Sequence, residues 1–164
     1  MSTMRRFAQA ALLAAICTLA TVSRAGAQTS IDVVSLDGRT SAVSLQGLER
    51  RSVTTADRAG IKTLHEGVLL RDVLARANVP LGDELRGKAL ARAIVATAVD
   101  GYQVAYAIAE IDAAFNDHLV LIVDRRNGKP LLPDSGPLQI VVPQDKRPAR
   151  WIRQVTTLEV KQLP

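Results

Sequence analysis

Two hydrophobic periods run along this chain, and the shorter one dominates. Residues 31–36 and 41–45 are short apolar-rich runs on either side of Asp37-Gly38. An Asp-Gly pair between two such runs predicts a hairpin, because both residues tolerate the positive φ of a tight turn. Residues 50–55 are β-prone. Over residues 68–77 the period becomes helical: Leu69, Leu70, Val73, Leu74 and Ala77 share one face, and Arg71, Asp72 and Arg76 the other. Pro80 and Gly82 end that region. A second hairpin is predicted from residues 91–99 and 102–108 around Asp100-Gly101, with Tyr102, Val104, Tyr106 and Ile108 on one face. Residues 111–115 read as one helical turn. Residues 119–123 are a continuous apolar run, as expected of a strand buried on both faces, and residues 138–142 read as another buried strand, closed by Pro143. Asn127-Gly128 and residues 133–137 are turns. Thr156, Leu158 and Val160 alternate with Glu159 and Lys161, which predicts a half-exposed closing strand. The order is not a regular β-α-β alternation. It predicts a mixed α+β fold, mostly strands with one main helix.

The N-terminal segment stands apart from this pattern. Arg5 and Arg6 precede a mostly apolar run over residues 7–22, and Ala25-Gly26-Ala27 is a small-x-small cleavage site. Residues 1–27 therefore read as a secretory signal peptide. The run is short for a membrane span, and Gln9 interrupts it. Residues 28–164 are expected to be a single domain, periplasmic or secreted, with no membrane span after cleavage.

Cleavage changes the chemistry on offer. Cys17, Met1 and Met4 account for the one Cys and both Met of the sequence, so all sulfur leaves with the leader. No disulfide, thiolate-bound metal or Cys nucleophile is then available. The leader also carries Arg5, Arg6 and Arg24 and no acid, which takes the formal charge from +5 to +2. That charge gives no reason for a nucleic-acid partner. Aromatic residues, at 3%, are too few for base-stacking platforms.

Few residues carry obvious chemistry. His65 and His118, the two histidines, have no metal-ligand spacing and read as surface or hydrogen-bonded groups. No G-x-S-x-G elbow exists, and Asp134-Ser135-Gly136 between two prolines reads as a turn. Gly128-Lys129-Pro130 reads as a hairpin turn rather than a phosphate loop. The densest polar feature is residues 146–153, which hold Lys146, Arg147, Arg150, Arg153 and the only tryptophan, Trp151. Guanidinium forks suit phosphate, sulfate or carboxylate groups. Arg147 and Arg150 are expected to converge on an anion with Trp151 buried as an anchor; the alternative is a solvated basic loop.

Several pieces occur in a suggestive order: His65-Glu66-Gly67-Val68-Leu69-Leu70-Arg71-Asp72-Val73-Leu74, Asp100-Gly101-Tyr102, the run 119–123, Asn127-Gly128-Lys129-Pro130-Leu131, Gly136-Pro137-Leu138, Val141-Val142-Pro143 and Arg150-Trp151-Ile152. Over about residues 50–161 the chain resembles the molybdopterin-binding domain of sulfite-oxidase-type oxidoreductases. The resemblance implies that family's mixed α/β fold, a periplasmic setting, a pterin-dithiolene cofactor and two-electron oxygen-atom chemistry at molybdenum. It also implies that residues 146–153 match a region that helps hold the cofactor's phosphate end. One departure matters most. In catalytic members a Cys binds the metal just after the strand that residues 50–55 resemble. Here that stretch reads Ser52-Val53-Thr54-Thr55-Ala56-Asp57-Arg58-Ala59-Gly60, with Asp57 as the only carboxylate.

Together these features predict an exported, non-catalytic ligand-binding or accessory protein. Its partner would be a small anionic or pterin-like ligand or a periplasmic protein. The cofactor-binding candidates are Lys146, Arg147, Arg150, Arg153 and Asp57. No catalytic residue or metal ligand is expected, and molybdopterin is the one cofactor the resemblance implies. The alternatives are a molybdopterin-dependent oxidoreductase completed by a partner subunit, and a structural or sensory module.

Overall fold

The computed structural model describes residues 30–164. The expected signal peptide lies outside these residues. Strands β1 (Ser30–Val34) and β2 (Thr40–Ser44) form the first hairpin. β3 (Arg50–Ala56) and β4 (Lys62–Leu69) form a second, and helix α1 (Leu70–Arg76) follows directly. β5 (Arg92–Ala98) and β6 (Gln103–Ala107) form a third, followed by the short helix α2 (Ile108–Ile111). Then come β7 (Leu121–Arg126), β8 (Lys129–Pro130), β9 (Gln139–Val141) and β10 (Val155–Gln162).

The three hairpins share a local device. An aspartate carboxylate accepts backbone N–H groups two or four residues ahead and so fixes the turn. Asp37 Oδ1 accepts from Arg39 at 3.2 Å, Asp57 Oδ1 from Ala59 and Ile61 at 2.9 Å each, and Asp100 Oδ1 from Tyr102 at 3.0 Å.

The strands make two sheets. One has the order β2-β1-β10-β5-β6, with β1 and β10 parallel and the other pairs antiparallel. The other has the order β3-β4-β7, and β8 and β9 share the far edge of β7. The main core holds Ile31 and Val33, Ile94 and Ala96, Leu158 and Val160 of the first sheet. Against them pack Val68, Ile122 and Ile140 of the second sheet, with Leu70, Val73 and Leu74 of α1. The opposite face of the second sheet carries its own apolar cluster of Leu69, Leu121, Val123 and Val141, with Val53 and Trp151 packed on it. Residues 120–123 and 138–142 are buried throughout, Gln139 included, because both their faces are covered.

Two expectations need correction. The helix begins at Leu70, not Val68, because residues 62–69 are a strand paired on both sides by β3 and β7. Val68 and Leu69 face the two different cores, a division that suits a strand. The helical turn expected at 111–115 lies at Ile108–Ile111, where Glu110 Oε1 accepts the Ala107 N–H at 3.1 Å. The helices span only seven and four residues, so the fold is mostly β strands in two sheets. Among the described residues no helix is long and apolar enough to cross a membrane.

Candidate functional site

The cleft is built on the second face of the β3-β4-β7 sheet. Val53 pairs with His65 and Thr55 with Thr63 across β3 and β4, and His65 pairs with Arg126 across β4 and β7. Regular alternation would place Arg125 beside Val123 on this face. A bulge intervenes: Glu66 pairs with Arg125 and Gly67 with Val123, leaving Asp124 unopposed. The extra residue reverses the side-chain order, so Arg126 shares the face of Val123 and His65. Asp124 turns to the other side and takes a two-pronged salt bridge from Arg50, at 2.6 and 2.9 Å.

The segment from Pro143 to Trp151 covers this face. Between it and the sheet lies an open cleft of about 1000 Å³. Thr55, Thr63, His65 and Arg126 form the floor, Asp57 and Arg58 come from the β3–β4 turn, and Lys146, Arg147 and Trp151 from the covering segment. His65 is only 3% exposed. Its Nε2 lies 3.1 Å from the Thr55 hydroxyl, and its ring meets Trp151 edge-on at 5.6 Å between centroids. Trp151 Nε1 donates to the Val142 carbonyl at 2.9 Å, which holds the indole in place. Arg126 Nη2 donates to Gln139 Oε1 at 3.0 Å. His65 Nδ1 and Arg126 Nε are buried with no partner. Burial, and secondarily the charge of Arg126, holds His65 below its ordinary pKa, so the ring is neutral at neutral pH.

The five sequence candidates divide. Lys146, Arg147 and Asp57 all line the cleft. The side chains of Lys146 and Arg147 are exposed and, like that of Arg58, make no ion pair or hydrogen bond among the described residues. Asp57 is engaged in its own turn through Oδ1. Arg153 lines a neighbouring cavity of about 530 Å³ with Asp134 and Gln139.

Arg150 does not converge with Arg147 on a shared anion site. Its Nε and Nη2 grip Asp145 at 3.0 and 2.7 Å, its Nη1 donates to Glu110 at 2.9 Å, and its guanidinium lies over the Tyr106 ring. The bond to Asp145 fixes its charge more firmly still. Arg150 is thus a clamp between α2 and the covering segment. Arg150→Ala should cost about 1–2 kcal/mol and lower the melting temperature by several degrees. The figure is modest because the Arg150 side chain is 37% exposed and water screens the pair. Arg147→Ala should leave the melting temperature within error of the wild type; thermal unfolding of both variants decides it.

Sequence reasoning missed Arg126 and Arg58 and set His65 aside. His65 is hydrogen-bonded, as one reading had it, but it faces the cleft. His118 is exposed. Ser135 is buried in its turn with Asp134 at 2.9 Å, with no histidine partner.

A protein-bound molybdenum does not fit the donor set. Residues 30–164 contain no Cys, and no group of three His, Cys, Asp or Glu side chains is placed to hold a metal among the described residues. The cleft lining instead carries the cations Arg58, Arg126, Lys146 and Arg147. A search of curated proteins finds no match for the chain. The model of one family, described as the oxidoreductase molybdopterin binding domain, matches residues 21–164. With the match covering all the described residues, the chain belongs to the oxidoreductase molybdopterin binding domain family.

Proposed function

We propose that this protein is an exported, non-catalytic ligand-binding or accessory domain on the molybdopterin-binding scaffold, taking a small anionic or pterin-like ligand in the cleft. The observation that carries this reading is the cleft itself. It has unpaired cations at Arg58, Lys146 and Arg147 and no sulfur donor anywhere along its lining. Exposed cations without partners attract an anion and lose little when they bind it, because no existing ion pair must break. Pro143 and Pro148 bracket the covering segment and reduce the entropy lost when it orders around a ligand. Family membership supplies the scaffold; it does not by itself supply an activity.

Metal and released pterin are measured per chain on protein exported from a molybdenum-replete host. The expected result is no stoichiometric molybdenum and no sulfite oxidation. About one molybdenum per chain with turnover would replace this reading with an oxidoreductase completed by a partner subunit. In the same preparation, Lys146→Ala with Arg147→Ala should weaken binding of a pterin monophosphate by about tenfold or more, since a charge-assisted contact contributes about 1.5–3 kcal/mol. Unchanged binding would mean that the segment is a solvated face. Intact mass of the exported protein tests the leader, with Gln28 expected at the N-terminus.

A further inference from the structure

Resting on the cleft-ligand reading, we propose that His65 and Arg126 form an oxyanion seat on the cleft floor that takes up one proton together with the anion. Binding then tightens as the pH falls.

The seat is a pair of nitrogens left without partners where a partner is needed. His65 Nδ1 and Arg126 Nε are both buried, both without a hydrogen bond, and their residues stand directly opposite on neighbouring strands. Buried donors are nearly always paired, and an orphaned one carries a desolvation cost. The remaining bonds hold both groups still: Thr55 at His65 Nε2 and Gln139 at Arg126 Nη2. A sulfate, phosphate or carboxylate oxyanion at the cleft floor would give Nδ1 and Nε an acceptor once the side chains packed over them shift to admit it. Lys146, Arg147 and Arg58 along the same cleft would bring the anion in.

The proton follows from charge. Thr55 can donate to Nε2 or accept from it, so the neutral ring with its proton on Nδ1 and the imidazolium can each donate Nδ1–H to the anion. The imidazolium adds a positive charge beside the anion. Without an anion that form is disfavoured by burial and by Arg126. The charged groups on the surrounding elements are Arg126 on β7, Asp57 and Arg58 in the β3–β4 turn, and Asp145, Lys146 and Arg147 in the covering segment. Of these only Arg126 shifts His65, and Asp145 is held by Arg150. An anion at the seat offsets the Arg126 charge and gives Nδ1–H an acceptor. The His65 pKa in the complex therefore lies above its value in the free protein. Between those two values the affinity rises with each fall in pH, and below the lower one it levels off.

Sulfate is the probe, because it stays a dianion across the range where histidine titrates, and chloride holds the ionic strength constant. Trp151 is the only tryptophan and lies edge-on to His65, so its fluorescence reports the imidazolium, which quenches it. From about pH 8 to about pH 5 the sulfate affinity should rise about tenfold. His65→Gln should abolish that rise, Arg126→Gln should weaken binding throughout, and His118→Gln should change neither. Should a variant fail to fold, NMR titration of His65 in the wild type decides the matter: sulfate must raise its pKa. Equal affinity at both pH values, a rise that survives His65→Gln, or an unmoved His65 pKa would each overturn the proposal. A pH-independent affinity that Lys146→Ala and Arg147→Ala still weaken would leave the cleft-ligand reading standing.

Discussion

Gly67→Ala should come close to unfolding the protein. An ideal Cβ at Gly67 would lie 2.0 Å from the Ile122 carbonyl oxygen and 2.7 Å from the Ile122 carbonyl carbon and Val123 Cα. These are backbone atoms of β7, so no side chain can swing away. β4 cannot retreat, because β3 holds its other edge. Relief requires parting two paired strands at the bulge that places His65 and Arg126 on one face. Overpacking a core costs about 1–3 kcal/mol when side chains can adjust, and here the cost should be at least about 3 kcal/mol. That is a large share of the roughly 5–15 kcal/mol that holds a domain folded. Gly38→Ala is the control: its Cβ meets nothing within 4 Å, so only the left-handed backbone at φ +79° matters, about 1–2 kcal/mol. Urea unfolding compares the two. A Gly67→Ala midpoint equal to that of Gly38→Ala would refute the close-approach argument.

Trp151→Ala should act on stability and on the cleft together. The indole is half-buried, so its loss should cost about 2–3 kcal/mol, below the 3–5 kcal/mol of a fully buried large aromatic. It also separates two cavities. Trp151, Pro148 and Ala149 line both the cleft and the smaller cavity beside Arg153, so truncation joins them. Water then reaches His65, and its pKa should climb back toward the ordinary histidine value as desolvation is relieved. Trp151→Phe should keep most of the packing and lose only the bond to Val142. Urea unfolding with NMR titration of His65 measures both effects. An alanine variant of wild-type stability and unmoved His65 would show that the indole is peripheral.

Much of the fold was legible because its turns are local. Asp37-Gly38 and Asp100-Gly101 carry their hairpin chemistry within four residues, and the apolar run around 121–123 and the mostly apolar stretch 138–142 follow from burial on both faces. β4 was harder. Its last two residues, Val68 and Leu69, fit the helical period of α1, and Gly67 weakens a strand signal. The Asx turn at Asp57 was the available clue, since it closes a β-prone run and needs a partner strand. The site was less legible still. Lys146 and Arg147 stood out as a charge cluster, and Asp57 came from the comparison with the metal-binding stretch. His65 stood out as one of two histidines, but nothing local distinguished it from His118. Arg126 was hidden by the bulge, since period-two counting assigns Arg125 to the cleft face. A bulge depends on how two distant strands register, which no local window contains.

The position of β10 also governs the order in which the molecule can assemble. It is the last strand among the described residues, yet it lies at the centre of its sheet, joining β1 to β5. Synthesis proceeds from the N-terminus, so the β1–β2 and β5–β6 hairpins exist before the strand that unites them. In that interval each exposes an open edge that another nascent chain could pair with. The register Asp32↔Thr157 spans nearly the whole described chain, so its closure must overcome the entropy of a very long loop. Contacts of such separation slow folding. The protein is therefore most exposed to aggregation before β10 pairs, and changes that weaken β10 would be felt first as lost yield of folded chains.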